Sequence, residues 1–242
     1  MLVQARTTLL AARTALQEAR RAGGVEDPAV RLGLLNGVPE GLAERLERLV
    51  AGVLPDRRVV LISRPSSDQL AMLGRGDLDL AVARLPVELP DEMRMLPIAH
   101  EELGVLMSGE HSLAQTDMLD PPKLAGEELI WFERSLAPGF HDAILRRLRE
   151  LGAAVQISDT TVAHAQLRSV LPRRPTAISL SSVRAAQPPE LVWRPLRGHP
   201  LTATIAALWR TDTGDPAVPR LETALRQEFG SSALSDQTAA GR

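Results

Sequence analysis

One stretch, Val59–Arg84, constrains the fold of this chain more than any other. It begins with a run of β-branched and apolar residues, Val59–Ile62, and ends with a second apolar run, Leu78–Val82, both typical of short buried strands. Between them the pattern predicts a short helix over Gln69–Leu73 that is stopped by Gly74. A strand, a helix and a strand in so few residues indicate a parallel crossover, and hence an α/β sheet. Such sheets bind small ligands at the carboxyl ends of their strands, near helix N-termini.

A polar turn, Pro65–Asp68, joins the first of these strands to the helix. Ser67 or Asp68 is expected to cap the helix, because short oxygen-bearing side chains accept hydrogen bonds from free first-turn N–H groups.

Composition excludes several classes of protein. The chain has 242 residues, of which 44% are apolar, enough for one ordinary core or two small ones. A net charge of −2 argues against a nucleic-acid-binding surface on this polypeptide. There is no cysteine, which excludes disulfides and thiolate metal sites, and the five histidines lack ligand-like spacing. We therefore predict no metal and no cofactor.

Membrane insertion and secretion are not expected either. No apolar run approaches the ~20 residues that span a bilayer. Charged residues (Arg6, Arg13 and Glu18) interrupt the region where a signal peptide would be apolar. The predicted location is the cytoplasm.

Residues 1–24 form a separate element with a heptad pattern. Leucine recurs every seven residues and alanine follows with the same period three residues later, as in the seam of a helix that pairs with another helix. The residues predicted to mediate dimerisation are Leu2, Ala5, Leu9, Ala12 and Leu16. Three heptads are marginally stable alone in water, so we favour a dimer-forming helix; the alternative is a helix that lies on its own domain.

The rest of the chain alternates strands and helices in two groups. Besides the opening stretch, strands are predicted at 30–35, 95–98, 103–107, 129–132, 155–157, 177–180, 191–195 and 201–209. Helices are predicted at 42–53, 138–151, 162–171 and 219–229. This pattern predicts two α/β lobes, with the last strand returning to the first lobe so that the chain crosses twice between them. Residues 230–242 are rich in Ser, Ala and Gly and are predicted to be disordered.

Four segments in this order carry a family resemblance: VRLGLLNGVPEGLAERL, GRGDLDLAVARLP, HSLAQTDMLDPPKLAGEELIWF and SLAPGFHDAILRRLRELGAAVQI. With them, residues 1–229 resemble the effector-binding region of LysR-type transcriptional regulators, preceded by the end of their linker helix. The resemblance implies an α/β, two-lobed fold like that of type 2 periplasmic binding proteins. It also implies a homodimer or homotetramer that binds a small-molecule effector between the lobes.

The resemblance divides the chain into four parts: a linker and dimerisation helix at 1–24, lobe I at 28–100 and 199–229, lobe II at 101–198, and the tail. The family's winged helix-turn-helix has no counterpart in these 242 residues, so DNA binding is expected only through a domain outside this chain. The segment SVLPRRPT (169–176) also departs from the small, Gly-containing turn that is usual in the family.

An effector is expected where predicted strands end and helices begin. Hydroxyl and backbone N–H groups at a helix start bind carboxylates, arginine takes them bidentately, and aromatic rings flank an apolar ligand body. The candidate ligand-binding residues are Asn36, Gly37, Ser66, Ser67, Arg84, Phe132, Arg134, Ser135, Thr160 and Thr161. The alternatives are that Ser66 is a helix cap, that the arginines are surface charges, and that the phenylalanines are core residues.

Other functions are less well supported. The sequence has no GxSxG, Walker A or HExxH motif, so an enzyme is not predicted. A solute-binding protein of a transporter would share the fold, but it would carry a secretion signal and have no use for a heptad helix. A headless regulator that acts by dimerising with full-length partners is the remaining alternative.

Overall fold

The computed structural model describes residues 29–39, 41–159, 166–182 and 189–239. The predicted dimerisation helix, with Leu2, Ala5, Leu9, Ala12 and Leu16, lies outside these residues, so the dimer seam stays a prediction. The described strands are β1 (Ala29–Leu34), β2 (Arg58–Ser63), β3 (Ala81–Arg84), β4 (Met93–Ser108), β5 (Glu128–Leu129), β6 (Gln156–Ile157), β7 (Ala177–Ser182), β8 (Leu191–Arg194) and β9 (Thr202–Arg210). The helices are α1 (Leu42–Val53), α2 (Ser66–Arg75), α3 (Pro138–Glu150), α4 (Leu167–Val170) and α5 (Ala217–Ala239).

The first group of strands forms a mixed sheet. β1 and β2 pair in parallel, and Leu32 of β1 forms a parallel bridge with Leu80, just before β3. β3 then pairs antiparallel with β9, which in turn pairs antiparallel with β4. The parallel crossover predicted from β2 through α2 to β3 is therefore confirmed, with β1 lying between the two strands it connects.

One long strand, β4, corrects the sequence analysis. The polar run 99–102 is predicted to separate two strands, but β4 is continuous over 16 residues. Its first half pairs with β9 and its second half pairs with β7 and β8. The polar residues do not end the strand because β9 supplies their ladder partners, with one register shift between Pro97 and Ala99. β4 is thus the strand that crosses from one group to the other.

The second group is organised around the parallel strands β5, β6 and β7. β7 pairs antiparallel with β4, and its last residue, Ser182, lies opposite Leu103. The predicted strand at 129–132 is shorter than expected, because the ladder of β5 ends at Leu129 and only Ile130 continues it, through an N–H bond to Ile178 O.

Apolar burial follows the two groups of strands. One core packs α1 and α5 on the first sheet, centred on Leu46, Val50 and Phe229. Another packs α3 on the second sheet, centred on Phe140, Ile144 and Leu148. We call the elements around these two cores lobe I and lobe II. The lobe II core includes Leu201 and Ala203, which the sequence analysis assigns to lobe I.

Several helix boundaries differ from those predicted. α2 begins at Ser66 and continues through Gly74 to Arg75, because a glycine inside a helix costs only about 1 kcal/mol. It ends at Gly76, which has the left-handed φ of 74° that favours glycine. The N-cap position is Pro65 and no side chain caps the helix, so the predicted caps at Ser67 and Asp68 are wrong. α5 begins two residues earlier than predicted and continues to Ala239, into the segment predicted to be disordered.

Candidate functional site

Strand directions place the candidate site between the lobes. β3 runs antiparallel to β9, so its end at Arg84 lies beside the start of β9, where the chain enters lobe I. β7 runs antiparallel to β4, so its end lies beside Leu103, where β4 enters lobe II. The parallel strands of each lobe therefore direct their carboxyl ends toward the same crossing strands. We call the region between the two lobes the cleft; α/β sheets bind ligands in this position, at the carboxyl ends of their strands.

The lobe I wall of this cleft is organised by Arg84. Its guanidinium donates to Gly37 O at 2.9 Å and, at a long 3.4 Å, to Asn36 O. It also forms an ion pair with Glu101, with 3.1 Å between Nη2 and Oε2. Ser63 Oγ donates to Asn36 Oδ1 at 2.7 Å, which ties the end of β2 to the same turn. Arg84 therefore holds the end of β3, the turn after β1 and the crossing strand together.

Ser66 is the buried hydroxyl of this wall. It is the first residue of α2 and is 6% exposed. Its Oγ lies 3.4 Å from Arg84 N, at the long end of a hydrogen bond. The first intrahelical hydrogen bond of α2 runs from Gln69 N to Pro65 O. The N–H groups of Ser66, Ser67 and Asp68 come before it and therefore have no acceptor within the helix. A hydroxyl and a positive helix end thus lie together beside Arg84.

Gln69, which the sequence analysis did not single out, positions this helix end. It is fully buried, its Oε1 accepts from Val82 N at 2.9 Å, and its Nε2 donates to Arg64 O at 2.8 Å. The side chain fits because position 33 is glycine: a Cβ there would lie 2.5 Å from Gln69 Oε1. A glutamine inside an otherwise apolar helix face is the signal that could have identified this link.

The lobe II wall is aromatic. Phe132 and Phe140 stack with their ring centroids 6.0 Å apart and an interplanar angle of 5°. Phe140 is buried in the lobe II core and Phe132 packs against that core. The guanidinium carbon of Arg84 lies 5.8 Å from the Phe140 ring centroid, within cation–π range. Phe140 is therefore a core residue whose ring contacts the lobe I wall through Arg84, and Phe132 packs beside it.

The remaining predicted site residues of lobe II either bond to side chains close to them in the sequence or lie outside the described residues. Arg134 is exposed and pairs with Asp142, with 2.6 Å between Nη2 and Oδ2, and this bond raises the pKa of Arg134. Ser135 Oγ donates to Glu133 Oε1. Thr160 and Thr161 lie outside the described residues.

A second polar link lies in lobe II, at the start of β5. Glu128 accepts from Ser158 Oγ at 2.6 Å and pairs with Arg174 at 2.5 Å. The Ser158 hydroxyl, followed by the Arg174 guanidinium, holds the pKa of Glu128 below its usual value. Arg174 belongs to the segment 169–176 that departs from the family pattern, and here it stabilises the lobe II sheet.

Polar side chains of β4 have partners at the point where this strand passes from lobe I to lobe II. Glu101 is 7% exposed and faces Arg84. On the opposite face, His100 Nδ1 lies 3.1 Å from Thr204 Oγ1, and Glu102 Oε1 lies 2.6 Å from His199 Nδ1. Glu101 was not predicted as a site residue, because the polar run 99–102 has the pattern of a loop. In a strand, alternation places Glu101 on the face opposite its two neighbours.

Two negative findings apply to the described part of the chain. It contains no group of three or more His, Asp or Glu side chains arranged to hold a metal ion. Among the same residues, none of the helices combines the length and the apolar character needed to cross a bilayer.

Comparison with known proteins identifies the family. A family model described as "LysR substrate binding domain" matches residues 23–230. The chain belongs to the LysR substrate-binding domain family. The expected fold and the family resemblance are thereby confirmed.

Curated relatives of this LysR domain are longer than the chain. The HTH-type transcriptional regulator BudR of Raoultella terrigena is 26% identical over 147 residues, which are 57% of this chain and 48% of BudR. The chain thus spans about half the length of the curated relatives it matches.

Solved structures share the fold of this LysR domain. The effector-binding domain of QuiR in complex with shikimate aligns with a TM-score of 0.72 and 16% identity, over 85% of this chain and 99% of that one. Full-length CbnR in complex with its target DNA aligns with a TM-score of 0.71 and 19% identity, over 94% of this chain and 80% of that one.

Proposed function

We propose that this LysR domain is the sensing part of a transcriptional regulator and that it binds a small anionic effector between its lobes. Its family and the regulators it resembles support the regulatory role. The structurally similar QuiR domain binds shikimate, a carboxylate. DNA would be bound by a winged-helix domain outside these residues.

The observation that carries the proposal is the position of Ser66. A buried hydroxyl and the first turn of α2 lie beside Arg84, whose guanidinium lies over the Phe140 ring of lobe II. A carboxylate accepts hydrogen bonds from hydroxyl and N–H donors, and a helix N-terminus favours its charge. Phe132, which is only partly buried, offers an apolar surface for the rest of the ligand, as in most small-molecule sites. Together these groups suit a small apolar carboxylate.

Effector binding would act by shifting a population of conformers. A ligand that touches both lobes favours the closed form only through its higher affinity for that form. Closure would change the relative orientation of the lobes, and hence the geometry of a homodimer or homotetramer held together by the N-terminal helices and the lobes. That change would alter the spacing of the attached DNA-binding domains.

A thermal-shift screen tests the sensing role directly. Small aliphatic and aromatic carboxylates, each with its uncharged amide as the matched compound, are expected to include one that raises the melting temperature, since a ligand stabilises the folded state by RT ln(1 + [L]/Kd). Amides should give a smaller shift. No stabilising carboxylate in a broad library would contradict the proposal.

Ser66→Ala then tests the site. Loss of one hydrogen bond to a charged group should weaken binding of the carboxylate by about tenfold or more, while the melting temperature without ligand changes little. Ser112→Ala is the matched control, because Ser112 is an exposed residue at the start of a short 3₁₀ turn in lobe II. Equal losses of binding and folding in Ser66→Ala would indicate a purely structural serine.

Leu9→Asp tests the predicted dimer seam. A carboxylate in an apolar helix seam should shift the chain to a smaller species in sedimentation velocity. Thr7→Asp adds the same charge at a heptad position away from the seam and should leave the species unchanged. An unchanged oligomer in Leu9→Asp would contradict the seam.

A further inference from the structure

The two lobes meet directly at the first turn of α3. A Cβ built on Gly139, the second residue of that helix, would lie 2.3 Å from Pro86 O and 3.2 Å from Pro86 C. Pro86 follows β3 in lobe I, whereas α3 packs on the lobe II core. The contact therefore joins the lobes across the cleft, away from the crossing strands.

The partners in this contact are complementary. The first turn of a helix carries free N–H groups and the positive end of the helix dipole, which favour a nearby carbonyl oxygen. Two neighbouring contacts also join the lobes: Arg84 lies over the Phe140 ring, and α2 contacts the turn Arg134–Leu136. The described conformation is thus one in which the lobes touch along one side of the cleft.

We propose that Gly139 is a positioning residue for lobe closure, because its missing side chain admits the Pro86 carbonyl into the first turn of α3. The obstruction that any side chain would create is a backbone atom, which cannot move by changing rotamer. Relief has to come from separation of the lobes by about 1 Å, which restores an ordinary contact distance. The identity of residue 139 therefore sets how far the cleft closes. This inference deepens the proposed function, since the cleft that Gly139 would limit is the proposed effector site.

The chain contains no cysteine, which makes a distance measurement direct. Ala71 on α2 and Arg146 on α3 are exposed, one in each lobe, and serve as sites for a pair of spin labels introduced through cysteine. The inter-label distance is measured by pulsed electron paramagnetic resonance on the full 242-residue chain without any effector. Gly139→Ala and Gly139→Leu should lengthen the mean distance, the alanine by about 1 Å and the leucine by more.

Gly52 supplies the matched control. It also lies inside a helix, α1, but a Cβ there would meet nothing within 4 Å. Gly52→Ala and Gly52→Leu introduce the same side chains and the same gain in helix propensity, and they should leave the distance unchanged.

An unchanged distance in folded Gly139 variants would overturn the proposal, and so would an equal lengthening in Gly52 variants. Loss of folding in Gly139→Ala would also overturn it, since the lobes are expected to move apart while each stays folded. Absence of a stabilising carboxylate in the thermal-shift screen would count against the effector proposal alone, because the distance is measured without ligand.

Discussion

Replacing Arg84 by methionine should destabilise the chain by about 3 kcal/mol, because the guanidinium fastens three elements at once. The bond to Gly37 O, at 2.9 Å with a charged donor, contributes about 1.5 kcal/mol. The bond to Asn36 O, at 3.4 Å, is too long to add much. The remainder comes from Glu101, whose carboxylate would be left in a site where its side chain is 6% exposed.

The penalty for Glu101 is smaller than the 3–5 kcal/mol typical of a broken, fully buried pair. The Arg84 side chain is 20% exposed, so water partly screens the interaction. Methionine keeps most of the apolar stem, which separates the loss of charge from the loss of packing. Adding Glu101→Gln to Arg84→Met should recover about 1 kcal/mol, because a neutral amide is less costly to bury than an unpaired carboxylate.

Urea unfolding, followed by tryptophan fluorescence, measures these differences. The control is Arg226→Met in α5, where the ion pair with Glu222 is exposed and spans one helical turn; such pairs are worth about 0.3–0.5 kcal/mol. If Arg84→Met lies within 0.5 kcal/mol of this control, the fastening role assigned to Arg84 is wrong.

Three further changes have defined outcomes. Ser179→Ala should raise the unfolding free energy by about 1 kcal/mol, because the Ser179 hydroxyl is fully buried and lacks a hydrogen-bond partner among the described residues; a loss of stability in urea would contradict this. Gly33→Ala should cost about 2 kcal/mol, since the new methyl group would displace Gln69 from its bond to β3; thermal unfolding beside Gly52→Ala checks it. The lowered pKa of Glu128 means that its ionised form stabilises the fold fully above a pH of about 4.3, the unfolded value, and that this contribution is lost as the pH falls further. Glu128→Gln should therefore make the melting temperature fall less steeply with decreasing pH between about pH 3 and pH 5. An unchanged slope would show that the bond from Ser158 to the ionised Glu128 does not make stability depend on pH.

The strands and the two-lobed fold were largely predictable, because burial imposes a period on the sequence. Apolar runs such as Val59–Ile62 mark β2 within one residue at each end. The helix face of α1, with Leu42, Leu46 and Val50 buried, also follows its spacing directly. Where one face of an element is buried, local pattern and tertiary position agree.

The crossing and the site were harder to predict for a physical reason. The polarity of His100, Glu101 and Glu102 is typical of a loop, but here each side chain has a partner that is distant in the sequence: Thr204, Arg84 and His199, respectively. Likewise, Arg84 reads as a free cation next to a strand end, whereas its partner lies 17 residues further along the sequence. Residues that meet only in the folded structure produce no local periodicity in the sequence from which their contact could be predicted.

The continuous strand β4 has a practical consequence for dissecting this protein. A cut between residues 100 and 101, the boundary that the two-lobe division suggests, would divide a 16-residue strand in its middle. Fragment 1–100 would lose β9, the partner of β3 and of the first half of β4, and fragment 101–242 would keep β9 without most of its partners. Such unpaired edges recruit other chains and promote aggregation. Neither half is therefore an autonomous unit, and domain-exchange experiments on this chain should keep residues 93–108 and their partner strands together.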